Sequence, residues 1–432
     1  YIPRTAVHEY GCLPYLIAEK DIVFSNSQDQ KLYRLRGNKI FPMTFLDNAR
    51  YADGIYDPVR QGFYYVREQH TNNAAHNTIV WIQQDTETVV AAGHDFYSNP
   101  IISKDGKFLA YLCWDLPSMP WQSTKLFLHP IKENGSLGEG VAVAGENSNE
   151  SIFQPEFDEE GLLYFASDRS GFYNIYVYKD AVVTPLFTVA ADIGAPAWVY
   201  AAATEKSIVY CSQELGKMQL YRYFFATKTT VKYDLPFTEF LALSITKNAV
   251  YATVRSQLKP TCLVQIHNDS TTTTIVETTR PDFLQSDDLA TAALFSAGSG
   301  ENKCYGYLYQ PVNQRYTCTG TPPLILKIHS GPTSFHSDSF RMETQFWTSR
   351  GFAVAIVNFR GSSGFGRDYR QALDQNFGVV DVADAVAAAR YLIQQNLCHP
   401  QQIIVKGGSS GGYSALMAAC CSDLFCGVIS WY

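Results

Sequence analysis

Ile403-Ile404-Val405-Lys406-Gly407-Gly408-Ser409-Ser410-Gly411-Gly412-Tyr413 is the stretch on which the C-terminal part of this chain turns. A short, β-branched apolar run passes directly into Gly407-x-Ser409-x-Gly411, and a helical pattern follows from Tyr413 to Cys421. Strand, tight turn and helix in that order strain the backbone of the central residue, and the flanking glycines leave room for strand and helix to approach. A serine held there projects its Oγ above the sheet. The N–H of Ser410 would point at a developing oxyanion near the start of the helix. A phosphate-binding loop of the Walker type ends in Gly-Lys-Ser/Thr, whereas this turn ends in Gly-Gly-Tyr. A purely structural turn is the other alternative. Ser409 is the candidate nucleophile.

Upstream of the turn, beyond about residue 290, strands and helices alternate. Tyr305 to Tyr309, Leu324 to His329, Ala353 to Asn358, Ile403 to Val405 and Gly427 to Trp431 read as strands. Ser339 to Arg350, the Ala-rich stretch Asp381 to Gln395, and Tyr413 to Cys421 read as helices. Near-continuous apolar strands separated by helices predict a mainly parallel, doubly wound sheet covered on both faces. His329-Ser330-Gly331-Pro332 follows one buried strand, and such a loop supplies the second oxyanion donor in hydrolases of this type. Gly331 is that candidate donor. His329 lies on the wrong loop, before the serine, for a general base, and its expected role is hydrogen bonding that shapes the loop. Asn358-Phe359-Arg360-Gly361-Ser362-Ser363-Gly364-Phe365-Gly366-Arg367 follows the next strand. Arg360 is a candidate contact for a substrate carbonyl, or a structural ion pair.

Residues 19–270 repeat themselves. A Pro or small-residue turn, a short strand, a polar turn, an aromatic-rich strand and a last strand recur with a period of roughly 41–55 residues, the span of a four-stranded propeller blade. Clear copies begin at Asn99-Pro100, Gln154-Pro155 and Ala195-Pro196-Ala197-Trp198. Weaker ones lie at Tyr64 to Trp81 and Ala249 to Val264, and an incomplete one opens the chain at Ile22 to Leu35. About six blades are expected, the first of them partial. A β-sandwich is the alternative. Ser167 to Asn174 reads as blade-turn chemistry rather than a ligand loop. Thr271 to Thr274 and Arg280-Pro281-Asp282 are taken to mark the end of the blades.

Composition narrows the function. The 432 residues are 46 % hydrophobic and 17 % charged, with 28 Tyr, 26 Phe and 6 Trp, which excludes a disordered or fibrous chain. The net charge of −7 comes without a Lys/Arg cluster, so no nucleic-acid partner is expected. No apolar run approaches the ~18 residues of a membrane helix. No signal peptide opens the chain, and no Met stands at its start. None of the 10 Cys forms a C-x-x-C pair, and most sit in apolar surroundings. Buried free thiols in a cytoplasmic protein are expected, with no metal site.

Together these residues resemble the prolyl oligopeptidase family of serine peptidases, in its acylaminoacyl-peptidase and dipeptidyl-aminopeptidase branch. That branch shows His-Gly-Gly-Pro, a run like Tyr-Trp-x-x-Arg-Gly-Phe-Ala-Val, then Asn-Tyr-Arg-Gly-Ser-x-Gly-Tyr-Gly and a Gly-x-Ser-x-Gly-Gly elbow. Here the matching residues are His329 to Pro332, Phe346-Trp347-Thr348-Ser349-Arg350-Gly351-Phe352, Asn358 to Gly361, and Gly407 to Tyr413. Asp115 to Trp121 and Ile152 to Glu156 resemble propeller phrases of the family. The resemblance implies a β-propeller over 1–280 and the N-terminal part of an α/β-hydrolase domain, with an incomplete sheet, over 281–432.

It further implies a serine peptidase that cleaves short peptides through an acyl-enzyme, under a propeller that limits access. No cofactor is implied, and self-association is left open. Glu150 and Glu156 are candidate carboxylates for a substrate's free N-terminal amine. An esterase on the same core, or a propeller binding module with an inactive hydrolase, are the alternatives. Two departures stand out. Ser330 replaces the first glycine of the oxyanion loop. The family's acid and base follow the serine in the order Asp, His, but the 23 residues after Ser409 hold no His and one Asp, Asp423, which comes too early. The expectation is a chain cut at both ends, lacking the Asp and His and inactive alone.

Overall fold

The computed structural model describes all residues except 73, 85, 148, 195–198, 202–205, 247–248, 280–283, 318 and 432, together with the side chains of 199–201. Six antiparallel sheets follow one another over residues 15–42, 49–91, 96–144, 152–185, 192–232 and 239–277, the blades of a β-propeller. In the second to fifth of these sheets the second strand is largely buried on both faces, because alternate residues serve different neighbours. In Phe108–Trp114, Leu109, Tyr111 and Cys113 pack with Tyr64, Ile79 and Trp81 of the preceding blade. Ala110 and Leu112 pack with Ile152, Leu163 and Phe165 of the following one. Continuous apolar strands of this kind follow from stacking sheets on both sides.

Several expectations change. The first blade is not partial: Tyr15–Ala18, Asp21–Ser25, Leu32–Arg36 and Lys39–Pro42 pair in order. Thr271 to Thr274 do not end the blades. Thr272–Glu277 is the last strand of the sixth blade, paired with Cys262–Ile266, as a β-branched run favours. The phrase Ala195 to Trp198 and the stop at Arg280 to Asp282 lie outside the described residues, as does the 280/281 domain boundary. Cys113, Cys211, Cys262, Cys304 and Cys398 are buried, and burial pushes the thiols of Cys113 and Cys304 up to about 12. Cys420, Cys421 and Cys426 are exposed, contrary to the expectation from their apolar neighbours. Among the described residues no helix is long and apolar enough to cross a membrane.

The chain parts into two compact units. One holds residues 1–170 and 174–188, with the first four blades. The other holds 171–173 and 189–432, with the last two blades and a six-stranded α/β sheet. That sheet contains β1 (Ala292–Ala297), β2 (Cys304–Tyr309), β3 (Leu324–Ile328), β4 (Ala353–Asn358), β5 (Ile403–Gly408) and β6 (Gly427–Trp431), in the order β1-β2-β4-β3-β5-β6. The pairs β1–β2 and β2–β4 are antiparallel, and β4, β3, β5 and β6 run parallel. Helices α1 (Met342–Thr348), α2 (Arg367–Gln371), α3 (Val380–Gln394) and α4 (Ser410–Cys421) connect them. β1 and α2 had no sequence expectation.

The period of two divides the sheet into two faces. Leu324, Leu326 and Ile328 of β3, Ala353, Ala355 and Val357 of β4, and Ile403 and Val405 of β5 pack with Val382, Ala385, Ala389 and Leu392 of α3 and Ala415 and Ala418 of α4. Ile325, Val354 and Ile356 face the other way, toward Tyr307, Tyr309 and Trp347. On that face Lys327 of β3 and Lys406 of β5 are register partners, and both pair with Glu343 of α1. α1 starts at Met342, not Ser339, because the hydroxyls of Ser337 and Ser339 donate to Glu239 and the N–H of Phe340 donates to Ser256.

Candidate active site

β5 ends at Gly408 and α4 begins at Ser410, so one residue makes the whole turn. Ser409 stands at φ 51°, ψ −125° and is exposed. A side chain at positive φ costs on the order of 1–3 kcal/mol and persists only where its surroundings enforce it. Here the Ser409 N–H donates to the Trp431 carbonyl at 2.7 Å, and its own carbonyl accepts the N–H groups of Gly412 at 2.9 Å and Tyr413 at 3.2 Å. The glycines are steric necessities. A Cβ on Gly407 would lie 2.0 Å from the Gly411 carbonyl oxygen, and a Cβ on Gly411 would lie 2.4 Å from that of His329 and 2.6 Å from that of Ile328.

The second contact places the loop after β3 directly against the first turn of α4. Gly331 of that loop is exposed at φ 63°, in a turn closed by the Ser334 N–H on the Gly331 carbonyl at 2.8 Å. The left-handed conformation falls on Gly331 and not on Ser330, so serine is accommodated where the family has its first glycine. Ser410, as the first helical residue, has an N–H without an intrahelical acceptor.

His329 is 2 % exposed. Its Nε2 lies 2.7 Å from Ser362 Oγ, and its ring stacks on Phe359 at 4.3 Å. Burial pulls its pKa down to about 4, so it is a neutral loop-shaping residue, as expected, and unsuited to accept a proton from Ser409. His336 is held below its ordinary value by burial, with Arg341 adding to the effect. His399 precedes β5, at the opposite end of the strand from Ser409.

The candidate substrate contacts fall elsewhere. Arg360 forms a forked pair with Asp384 of α3, at 2.7 Å from Nη2 and 3.1 Å from Nε, and its Nη1 donates to Asn302 at 2.5 Å. Asp384 is 1 % exposed, so this is the structural ion pair rather than a free cation. Glu150 is 1 % exposed. It takes both Nε and Nη2 of Arg169 at 2.8 Å, the Gly145 N–H at 3.0 Å and the Ser167 hydroxyl. A carboxylate so enclosed answers a charge within its own blade. Glu156, half-buried on Ile152–Phe157, accepts Gln154 Nε2 at 3.0 Å.

Sequence reasoning missed Asp192, Ser362 and Ser363, which tie the loop after β4 to its surroundings. Asp192 lies in Val189-Ala190-Ala191-Asp192-Ile193, where no motif marks it. The two serines were legible only as part of a glycine-rich loop.

A propeller followed by a sheet of this order, with a strained, exposed serine after its fifth strand, defines a propeller-bearing α/β-hydrolase. Residues 338–432 match the prolyl oligopeptidase family. The chain is 36 % identical over 95 residues to acylamino-acid-releasing enzyme 1 of Oryza sativa subsp. japonica, across 22 % of this chain and 12 % of that protein. It is 36 % identical over 94 residues to dipeptidyl aminopeptidase BIII of Pseudoxanthomonas mexicana, across 22 % of this chain and 14 % of that one. The chain therefore aligns with about an eighth of the length of these relatives. The fold extends the likeness. A puromycin-hydrolyzing peptidase of Mycobacterium tuberculosis superposes on 100 % of this chain and 70 % of its own, with a TM-score of 0.92 and 28 % identity.

Proposed function

We propose that the protein is a serine peptidase acting on short peptides, of the dipeptidyl-aminopeptidase or acylaminoacyl-peptidase type. Residues 1–280 would form its propeller, and 281–432 the first part of its catalytic domain. The observation that carries this is the backbone of Ser409, at φ 51° between β5 and α4 with its side chain exposed. In the proposed reaction Ser409 Oγ attacks the peptide carbonyl while a histidine removes its proton. The N–H groups of Ser410 and Gly331 receive the oxyanion. The histidine then protonates the departing amine, and water releases the acyl group by the same steps. The burial of His329 and its contact with Ser362 speak against it as that base. In the family order Ser, Asp, His, that base and its aspartate would follow Ser409. Puromycin is an aminoacyl amide, so the neighbour's activity supports an amide-cleaving reading over an esterase.

The test is to offer the full-length protein dipeptidyl and N-acetyl-aminoacyl amides, puromycin, simple esters and an unfolded protein of ~100 residues. Serine-peptidase chemistry predicts turnover of short amides that Ser409→Ala abolishes. Turnover of esters alone would make it an esterase, and no turnover would leave a binding module. Equal cleavage of the long chain would remove the preference for short peptides.

A further inference from the structure

Asp192, on the two-residue strand Asp192–Ile193 of the fifth blade, is 2 % exposed. Its Oδ1 accepts the N–H of Tyr173 at 2.9 Å. Its Oδ2 accepts the N–H groups of Gly364 at 2.9 Å and Gly366 at 3.1 Å. Gly364 and Gly366 stand at φ 88° and 89°, and N–H groups gathered by such a turn form a concavity that holds an anion. The anion here is a carboxylate from a propeller strand. The loop fits closely around it. The Arg367 N–H donates to the Gly171 carbonyl at 2.7 Å, and a Cβ on Gly366 would come 2.9 Å from the Phe172 ring. Hydrogen bonds to an ionised acceptor are roughly twice as strong as neutral ones, and removing a buried acceptor leaves its N–H partners unpaired.

The other end of the same short segment grips the oxyanion loop. The Ser363 N–H donates to the carbonyls of Ser334 at 3.1 Å and Thr333 at 3.3 Å, and Ser363 Oγ donates to Thr333 at 2.5 Å. Ser362 Oγ lies 2.7 Å from His329 Nε2. Residues 362–366 therefore form a bridge. One end is bonded to the loop that carries Gly331, the other to Asp192.

We propose that Asp192 is a positioning residue for the oxyanion site: its carboxylate fixes the 362–366 bridge and, through Ser362 and Ser363, the placement of Gly331 relative to Ser409. This rests on the peptidase reading above. It gives the fifth blade a direct hand in the geometry of catalysis without any contact with substrate. A misplacement of about 1 Å at such a site costs on the order of 10²-fold in rate.

The test compares Asp192→Asn, Ser363→Ala and their double variant in the full-length protein. Asparagine keeps the shape but turns an amide NH2 group toward backbone N–H groups. Turnover is counted per serine titratable with a fluorophosphonate, so that loss of folded protein does not enter. For Asp192→Asn, kcat per labelled serine should fall about 10- to 100-fold with KM nearly unchanged. Amide exchange of Gly364, Gly366 and residues 330–334 should quicken. The double variant should lose little more than the worse single one, because both loosen the same bridge. An unchanged kcat per labelled serine, or losses in the two single variants that multiply in the double, would overturn the proposal. If the unaltered protein takes no label at Ser409, the peptidase reading is what fails. The exchange of 330–334 in Asp192→Asn then still decides whether Asp192 holds that loop, and unchanged exchange would sink it.

Discussion

Two glycine-rich turns stand at the carboxyl ends of neighbouring parts of the sheet, and they use their glycines for opposite reasons. At 407–412 the glycines are there because backbone must touch backbone: Gly411 lies under the carbonyls of Ile328 and His329. The strain itself falls on Ser409, which is not a glycine. At 361–366 the glycines themselves take positive φ, and the turn they make gathers N–H groups around Asp192. The first turn exposes a side chain, and the second buries Ser362 and an acquired charge. A run of glycines alone does not distinguish the two. The residue types between them, and what approaches from outside, do.

The comparison breaks most visibly at the serines. Ser409→Ala should abolish fluorophosphonate labelling and lower kcat ~10⁴-fold or more in the full-length protein, with the fold intact. Ser362→Ala, in the other turn, should keep the labelled site. Labelling that survives Ser409→Ala would mean that the exposed serine is not the nucleophile.

Arg360 gives the next largest effect, and it is one of stability. Arg360→Ala takes the guanidinium from buried Asp384 and leaves it only the residue-360 backbone N–H, at 2.7 Å in the unaltered protein, which costs up to roughly 3–5 kcal/mol. The unfolding midpoint in urea should drop accordingly, while KM for any substrate stays unchanged. Removing both charges together should recover much of the loss. A raised KM with an unaltered midpoint would return Arg360 to substrate binding.

His329 joins the two turns, since it lies against Gly411 through its carbonyl and against Ser362 through its ring. Its folded pKa of about 4 lies below the 6.5 of an ordinary histidine. The unfolded chain therefore takes up the proton first as pH falls. The stabilisation is complete above pH 6.5 and is lost as pH drops toward 4, by up to about 3 kcal/mol at about 1.36 kcal/mol per unit. His336, 5.9 Å away ring to ring and also held down by burial, adds a loss of the same sign. Replacing His329 by Gln should flatten part of that acid limb in a stability–pH series. An unchanged slope would mean that His329 is solvated or charged in the folded protein.

The elbow was legible because its steric demand is local. Gly407, Ser409 and Gly411 lie within five residues, and a β-branched run precedes them. The blades were legible because packing on both faces makes their second strands near-continuously buried, as in Phe108–Trp114 and Leu163–Ser167. Their fourth strands were not. Lys39–Pro42, Thr229–Lys232 and Thr272–Glu277 are exposed at every residue, so burial imposes no pattern on them. The roles of Glu150 and Arg360 were equally hidden, because a charge looks the same in sequence whether it faces a substrate or a buried partner. Asp192 lay furthest from view: two of the donors to its carboxylate are backbone N–H groups 172 and 174 residues away, and backbone groups leave no mark on residue choice.

The finest separation of the two turns comes from adding one methyl group to each. In Gly411→Ala the new Cβ meets two backbone carbonyl oxygens at 2.4 and 2.6 Å, neither of which can move without shifting the oxyanion loop off α4. In Gly364→Ala the nearest atom is the Gln213 amide at 2.2 Å, the end of a flexible side chain, but the methyl must also accept φ 88°. Both substitutions should destabilise by roughly 1–3 kcal/mol, the first through overpacking and the second through backbone strain. What separates them is relief. Shortening Gln213 to Ala should recover part of the loss in Gly364→Ala and none of it in Gly411→Ala, when the unfolding midpoints of the single and double variants are compared. Recovery in neither would mean that strain at φ 88° is the whole cost at Gly364. Recovery in both would show that the two turns are coupled through the 362–366 segment more tightly than their separate contacts imply.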